Sequence, residues 1–144
     1  MIETPQGSFT LIDESYNANP TSLRAAIEQL GAVEPGRGGR RVVVLGDMLE
    51  LGPEGAELHA SLAPDLVAAR IDQAFTAGPL MSHLFYAAPE TMRGVHRRTA
   101  LELEEVVLAA VRPGDVVMVK GSNGSRMTRI VAALKQKYAP ATAN

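Results

Sequence analysis

The sequence predicts an α/β domain of three layers, a mostly parallel sheet flanked by helices. Three observations lead there. Short aliphatic and β-branched runs alternate with segments whose apolar residues recur at helical spacing, the pattern of successive βαβ units. One run, Val42-Val43-Val44, is apolar without alternation, as a strand covered on both faces must be. Polar and glycine-rich stretches collect where strands hand over to helices, the place where open α/β sheets hold their ligands.

The elements follow in chain order. Phe9 to Ile12 is the first strand. Asn19 is placed to cap a helix with Pro20 at its first position, where the missing N–H costs nothing. Leu23, Ala26, Ile27 and Leu30 then fall on one helix face. Gly31 is expected to end that helix, and Pro35 to Gly39 form a turn. Arg41 to Leu45 is a strand and Gly46 to Gly52 a loop. A helix runs from about Glu54 through His59 to Leu62, where Pro64 must kink or interrupt it. Ile71 to Ala77 is a third strand, Gly78-Pro79 opens a short helix to about Ala87, and Gly94 to Arg97 is a short strand. Thr99 and Glu102 have capping-box spacing before the helix of Leu103, Val106, Val107 and Ala110. Pro113-Gly114 stops it. Val116 to Val119 is a buried strand, Lys120 to Ser125 a loop, and Met127, Ile130, Val131 and Leu134 line a final helix. Residues 139–144 read as a disordered tail.

Length and composition narrow the field. A chain of 144 residues fits a single domain, which buries roughly 70% of its unfolded surface. A composition 46% apolar and 21% charged is globular. The net charge of −2, with no dominant basic patch, argues against a nucleic-acid partner, and 4% aromatics without tryptophan argue against base stacking. There is no cysteine for disulfide, thiolate or zinc–cysteine chemistry, which suits a cytoplasmic location. No apolar run approaches the roughly 20 residues that span a bilayer, so no membrane insertion is expected. The N-terminus lacks a signal pattern. No metal site is expected either, since His59, His83 and His96 stand apart, each expected to be solvated or at the edge of the core.

Three strand-to-helix loops carry the candidate chemistry, and in a parallel sheet all three open at one edge. In Asp13-Glu14-Ser15-Tyr16-Asn17-Ala18-Asn19, the acid and amides could hold a ribose or a cationic group. Capping alone explains Asn19. It does not explain Asp13, Tyr16 and Asn17 as well. In Gly46 to Gly52, the glycines allow close backbone approach, and Asp47 and Glu50 are candidate contacts for a magnesium shell or a substrate ammonium, or else a pair of solvated acids at a helix start. In Lys120-Gly121-Ser122-Asn123-Gly124-Ser125, a cation, two hydroxyls and backbone N–H groups near a helix start would attract carboxylate or phosphate oxygens. The alternative is a plain turn with Ser125 as cap and Lys120 solvated. The chain contains neither a G-x-x-x-x-G-K-S/T loop nor a G-x-G-x-x-G fingerprint, so it has no recognised grip on a triphosphate, and no serine sits in a G-x-S-x-G elbow.

Ile12 to Pro20, Val44 to Gly52 with His59, and Val119-Lys120-Gly121-Ser122 together resemble the C-terminal domain of a Mur ligase, in order and spacing, over about Gly7 to Tyr138. Within that family the first two pieces resemble the members that add D-alanyl-D-alanine to UDP-N-acetylmuramoyl-tripeptide. Asp13-Glu14 departs mildly from the Asp-Asp common there. The resemblance implies a Rossmann-like fold and a place in a three-domain, ATP-dependent ligase of peptidoglycan synthesis that works through an acyl phosphate. The N-terminal and central domains, with the nucleotide loop and most contacts to ATP and Mg, lie outside this chain, which would close over the central domain as a lid. By motif matching, Asp13, Tyr16, Asn17 and Asn19 face the nucleotide. Lys120, the candidate catalytic residue, together with Gly121 and Ser122 faces the dipeptide or the transferred phosphoryl group, and Asp47 and Glu50 are further substrate candidates. The residues alone also fit a free-standing nucleotide- or amino-acid-binding regulatory module, or a related ligase that extends folate with glutamate.

Overall fold

Strands form where the β-branched runs stand. In the computed structural model, which describes residues 2–4, 7–15 and 18–137, they are β1 (Ile2–Thr4), β2 (Gly7–Glu14), β3 (Arg41–Gly46), β4 (Gln73–Ala77), β5 (Arg93–Arg97) and β6 (Val116–Lys120). Their order across the sheet is β1-β2-β6-β3-β4-β5. All neighbours from β2 to β5 run parallel, and β1 alone is antiparallel, paired with β2 at one edge. The sequence carried no expectation of β1.

Alternation along the central strands feeds two cores. Val43, Leu45, Val116 and Met118 face one side, where α1 (Pro20–Gly31), α3 (Ala63–Ala68) and α4 (Met81–Ala87) pack, with α2 (Gly55–Ala60) against α4. Val42, Val44, Val117 and Val119 face the other, covered by α5 (Ala100–Ala110) and α6 (Thr128–Lys137). Three layers result, as the alternating pattern implies.

Several boundaries differ from the sequence reading, each for a local reason. β2 continues through Asp13 and Glu14, because parallel pairing with β6 runs on to Glu14 opposite Lys120. Asp13 and Lys120 are therefore strand residues, not loop residues. Pro64 interrupts the helix after Ala60 and then sits in the first turn of α3, where its missing N–H is harmless. Gly31 is the last residue of α1, but its need is packing: a Cβ there would lie 3.0 Å from both Cα and Cβ of Ala69. Thr99 caps α5 by accepting from Glu102 N, while its hydroxyl donates to the Glu102 carboxylate. The tail at 139–144 lies outside the described residues.

Candidate functional site

Strand order decides which loops meet. β6 lies between β2 and β3, so the three polar loops leave the carboxyl ends of three adjacent strands. The chain leaves β2 and β3 towards the α1 layer and leaves β6 towards α6 on the opposite face. Such a divergence opens the crevice in which parallel α/β sheets bind ligands.

Ser122 ties the three loops into one surface. Its Oγ accepts from Leu49 N at 2.9 Å in the loop after β3 and donates to Ala18 O at 3.3 Å in the loop after β2. Its backbone N donates to Asp47 O at 3.1 Å, and its carbonyl accepts from Ser125 N and from Ser125 Oγ. Ser122 is buried, and its hydroxyl is committed to structure. Gly46 and Gly121 allow the closeness: a Cβ on Gly121 would lie 2.6 Å from Ser125 Oγ and 3.2 Å from Gly46 Cα.

Lys120 is 4% exposed, so the solvated alternative fails. Its Nζ lies 3.2 Å from Glu14 Oε1, across the β2–β6 pairing. Glu14 was not singled out from the sequence. It became visible only once the register set it opposite Lys120. Asp13 is exposed, and its Oδ1 accepts from both Ser15 N and Ser15 Oγ, which locks the turn after β2. Asn19 accepts from Ser22 N and Ser22 Oγ answers on Asn19 N, a reciprocal cap of α1. Tyr16 and Asn17 lie outside the described residues.

Asp47 is buried, not solvated, and caps a helix other than the one that follows it. Its Oδ1 accepts from Met81 N at 2.7 Å and its Oδ2 from Leu80 N at 3.2 Å, tying the end of β3 to the start of α4. Gly78, at φ +108°, passes so close that a Cβ would run into that carboxylate. The charge reaches His96, whose imidazole burial pushes below its ordinary value, with Asp47 pulling it back up and Arg97 pushing it further down. Glu50 is exposed and left-handed, at φ 62°. Ser125 belongs to a short 3-10 turn, Asn123–Ser125, rather than capping α6.

His59 proved structural and fully buried, not solvated or at the core edge. Nε2 accepts from Met48 N at 3.0 Å, so Nδ1 carries the proton and donates to Gly55 O at 2.7 Å. The imidazole thereby holds the loop after β3 against α2. The sequence signals were a lone histidine on the helix after that loop and its place among the residues that carry the family resemblance. Beside the loops, between the ends of β3 and β4 and the start of α5, lies a cavity of about 470 Å³ that Asp47, Gly78 and Arg126 help to line.

Among the described residues no helix is long and apolar enough to cross a membrane. A family model described as "Mur ligase, glutamate ligase domain" matches residues 1–123. The chain is 33% identical over 137 residues to UDP-N-acetylmuramoyl-tripeptide–D-alanyl-D-alanine ligase of Bacillus subtilis, covering 93% of this chain and 29% of that protein. It is 35% identical over 126 residues to the Escherichia coli protein of the same name, covering 88% of this chain and 27% of that one. The fold is similar to that of a MurF ligase from Thermotoga maritima crystallised in complex with ADP, with a TM-score of 0.74 and 23% identity, over 95% of this chain and 30% of that one. The chain thus spans less than a third of the length of these relatives.

Proposed function

The chain belongs to the Mur ligase family, and from that premise we propose that it is the C-terminal closing domain of an ATP-dependent ligase adding D-alanyl-D-alanine to UDP-N-acetylmuramoyl-tripeptide in cytoplasmic peptidoglycan synthesis. The observation that carries this reading is the carboxyl edge, where three loops from β2, β6 and β3 are joined through Ser122 beside the ion pair of buried Lys120 and half-buried Glu14. The relatives named for the same reaction support the choice of substrates. The ADP in the Thermotoga maritima complex supports the nucleotide.

In this reading the tripeptide carboxylate takes the terminal phosphoryl group of ATP, and ADP leaves. The dipeptide amine attacks the acyl carbon, the C–N bond forms, the bond to phosphate breaks, and phosphate and a proton depart. Magnesium and the phosphate grip belong to the part of the enzyme that this chain does not span. Among the described residues no three acid or histidine side chains gather as a metal site. The chain's own share is orientation, charge and exclusion of water. Lys120 is held rigid by Glu14 and supplies a cation where oxyanion charge grows. Asp13, Tyr16, Asn17 and Asn19 close over the nucleotide, with Asp13 and Asn19 also fixing the shape of their own loop. Gly121 and Ser122 shape the dipeptide's side of the cleft, while Asp47 acts through α4 and Glu50 from the rim.

The test is Lys120→Met in a ligase carrying this domain. Turnover should fall on the order of a hundredfold, as for loss of one electrostatic contact to a developing oxyanion. Because Glu14 is partly exposed, the melting temperature should move little. Unchanged turnover would remove Lys120 from the reaction. Competition between D-alanyl-D-alanine and glutamate as acceptors decides between this activity and glutamate addition to folate.

A further inference from the structure

We propose that a second cavity, between α1 and α3, is a binding site for a free α-amino acid with a small side chain, Glu28 taking its ammonium and Arg70 its carboxylate. The cavity measures about 460 Å³, within the range of small-ligand sites, about 300–1,000 Å³. It lies away from the three loops. Helices α1 and α3 pack side by side, and both run from the carboxyl edge of the sheet towards its amino edge. Arg70 sits at that far end, just before Asp72, whose carboxylate accepts from Arg41 N at the start of β3. The site therefore depends on neither the ligase reading nor the carboxyl edge.

Two residues of the lining stand against local preference. Helix α3 ends in a Schellman motif: Ile71 N donates to Leu66 O at 3.1 Å and Arg70 N to Val67 O at 3.0 Å. The residue at that turn is left-handed, and Arg70 holds it at φ 56°, a conformation that strains any residue with a Cβ and suits glycine. Folding alone gives no reason for an arginine there. Glu28 stands in the last turn of α1, where the helix dipole favours a cation, and that turn holds no basic residue. An acid at that place gains nothing from its own helix.

Nor do the two serve each other. Among the described residues neither Glu28 nor Arg70 makes an ion pair or a side-chain hydrogen bond, whereas Arg24 and Asp65, on the same lining, are joined at 3.2 Å. Both are exposed, so a ligand reaches them from solvent. A gap flanked by one unmatched acid and one unmatched cation takes a ligand that carries both charges. A simple anion would meet Glu28 and the carbonyl ends of two helices, and a simple cation would meet Arg70. The rest of the gap is lined by Gly31, Ala32, Ala68 and Ala69, none larger than a methyl. Gly31 cannot be enlarged, since a Cβ there would lie 3.0 Å from Ala69 Cα. A compact amino acid answers all of this. The planar guanidinium can grip its carboxylate through two parallel bonds, the ammonium one carbon away faces Glu28, and a hydrogen or methyl side chain rests on the alanines.

The experiment is an NMR titration of the 144-residue chain with glycine and with alanine of either hand, following the amides of Gly31, Ala68 and Ala69. Alanine should shift them saturably, with a Kd on the order of 1 mM, within reach of so small a ligand. Arg70→Gly and Glu28→Gln should each weaken it about tenfold or more, the factor set by one charge-assisted hydrogen bond. Glycine relieves the backbone at position 70, so the melting temperature of Arg70→Gly should not fall and lost binding is not lost folding. Arg70→Lys should keep part of the affinity. Acetate and methylamine, each with one of the two charges, should bind about tenfold more weakly than alanine. Acetate binding as tightly as alanine would overturn the inference and leave a plain anion patch around Arg70. Alanine binding that survives both substitutions would overturn it too, as would shifts that never saturate.

Discussion

The Ser122 hydroxyl accepts from one loop and donates to another, and those partners stand 73 and 104 residues away along the chain. Replacing it with alanine leaves Leu49 N and Ala18 O without their partner. A buried group so orphaned costs about 1–3 kcal/mol, and chemical denaturation of Ser122→Ala should show a loss in that range. If stability is unchanged, water has taken the place of the hydroxyl and the loops do not depend on it. Single residues were the least legible level of this sequence. Ser122, Asp47 and His59 all stand in recognisable loop or helix positions, yet each is explained by a partner on another segment. Asp47 sits at the end of β3 and serves a helix more than thirty residues later. Lys120 was legible as a charge at a strand end, but not as a buried one, because its shelter is Glu14 on a neighbouring strand.

Apart from β1, which was missed, the strands and the longer helices were legible to within a few residues, because period and punctuation are local. Val42 to Leu45 and Val116 to Val119 are apolar on both faces and lie at the sheet's centre, while Arg93 to Arg97, of mixed polarity, forms its edge. The helix of Leu23, Ala26, Ile27 and Leu30 buries those four side chains and starts from the reciprocal Asn19–Ser22 cap. Helix α4 takes its cap from far along the chain: the residue before it, Leu80, offers no side-chain cap, and the acid that serves comes from the loop after β3. Asp47→Ala should therefore cost about 2 kcal/mol through lost caps and orphaned N–H groups. It should also speed hydrogen exchange at Leu80 and Met81. Exchange rates unchanged at both amides would show that α4 is held by its apolar contacts alone.

For the whole molecule, the three-layer architecture was legible from alternation, but the strand order was not. No local pattern says that β6 inserts between β2 and β3, and that insertion is what sets the three polar loops side by side on their shared edge. The chain spans under a third of its relatives, and it contains no triphosphate loop. The isolated 144-residue chain is expected to unfold cooperatively yet to hydrolyse no ATP and to ligate no dipeptide, as coupled ADP-release assays would read. ATP turnover by the chain alone would mean that the nucleotide site is complete within it.

The late insertion of β6 also has a consequence for synthesis on the ribosome. Until Val116–Lys120 has emerged, β2 lacks its inner neighbour and β3 has β4 on only one side. The nascent chain must wait with two unpaired strand edges and the apolar stripes of α1 and α3 half covered, the kind of surface that chaperones attend. The strand that closes the sheet also carries Lys120 and leads into Gly121 and Ser122. A product truncated before it therefore lacks the strand that completes the sheet and, with it, Lys120, Gly121 and Ser122.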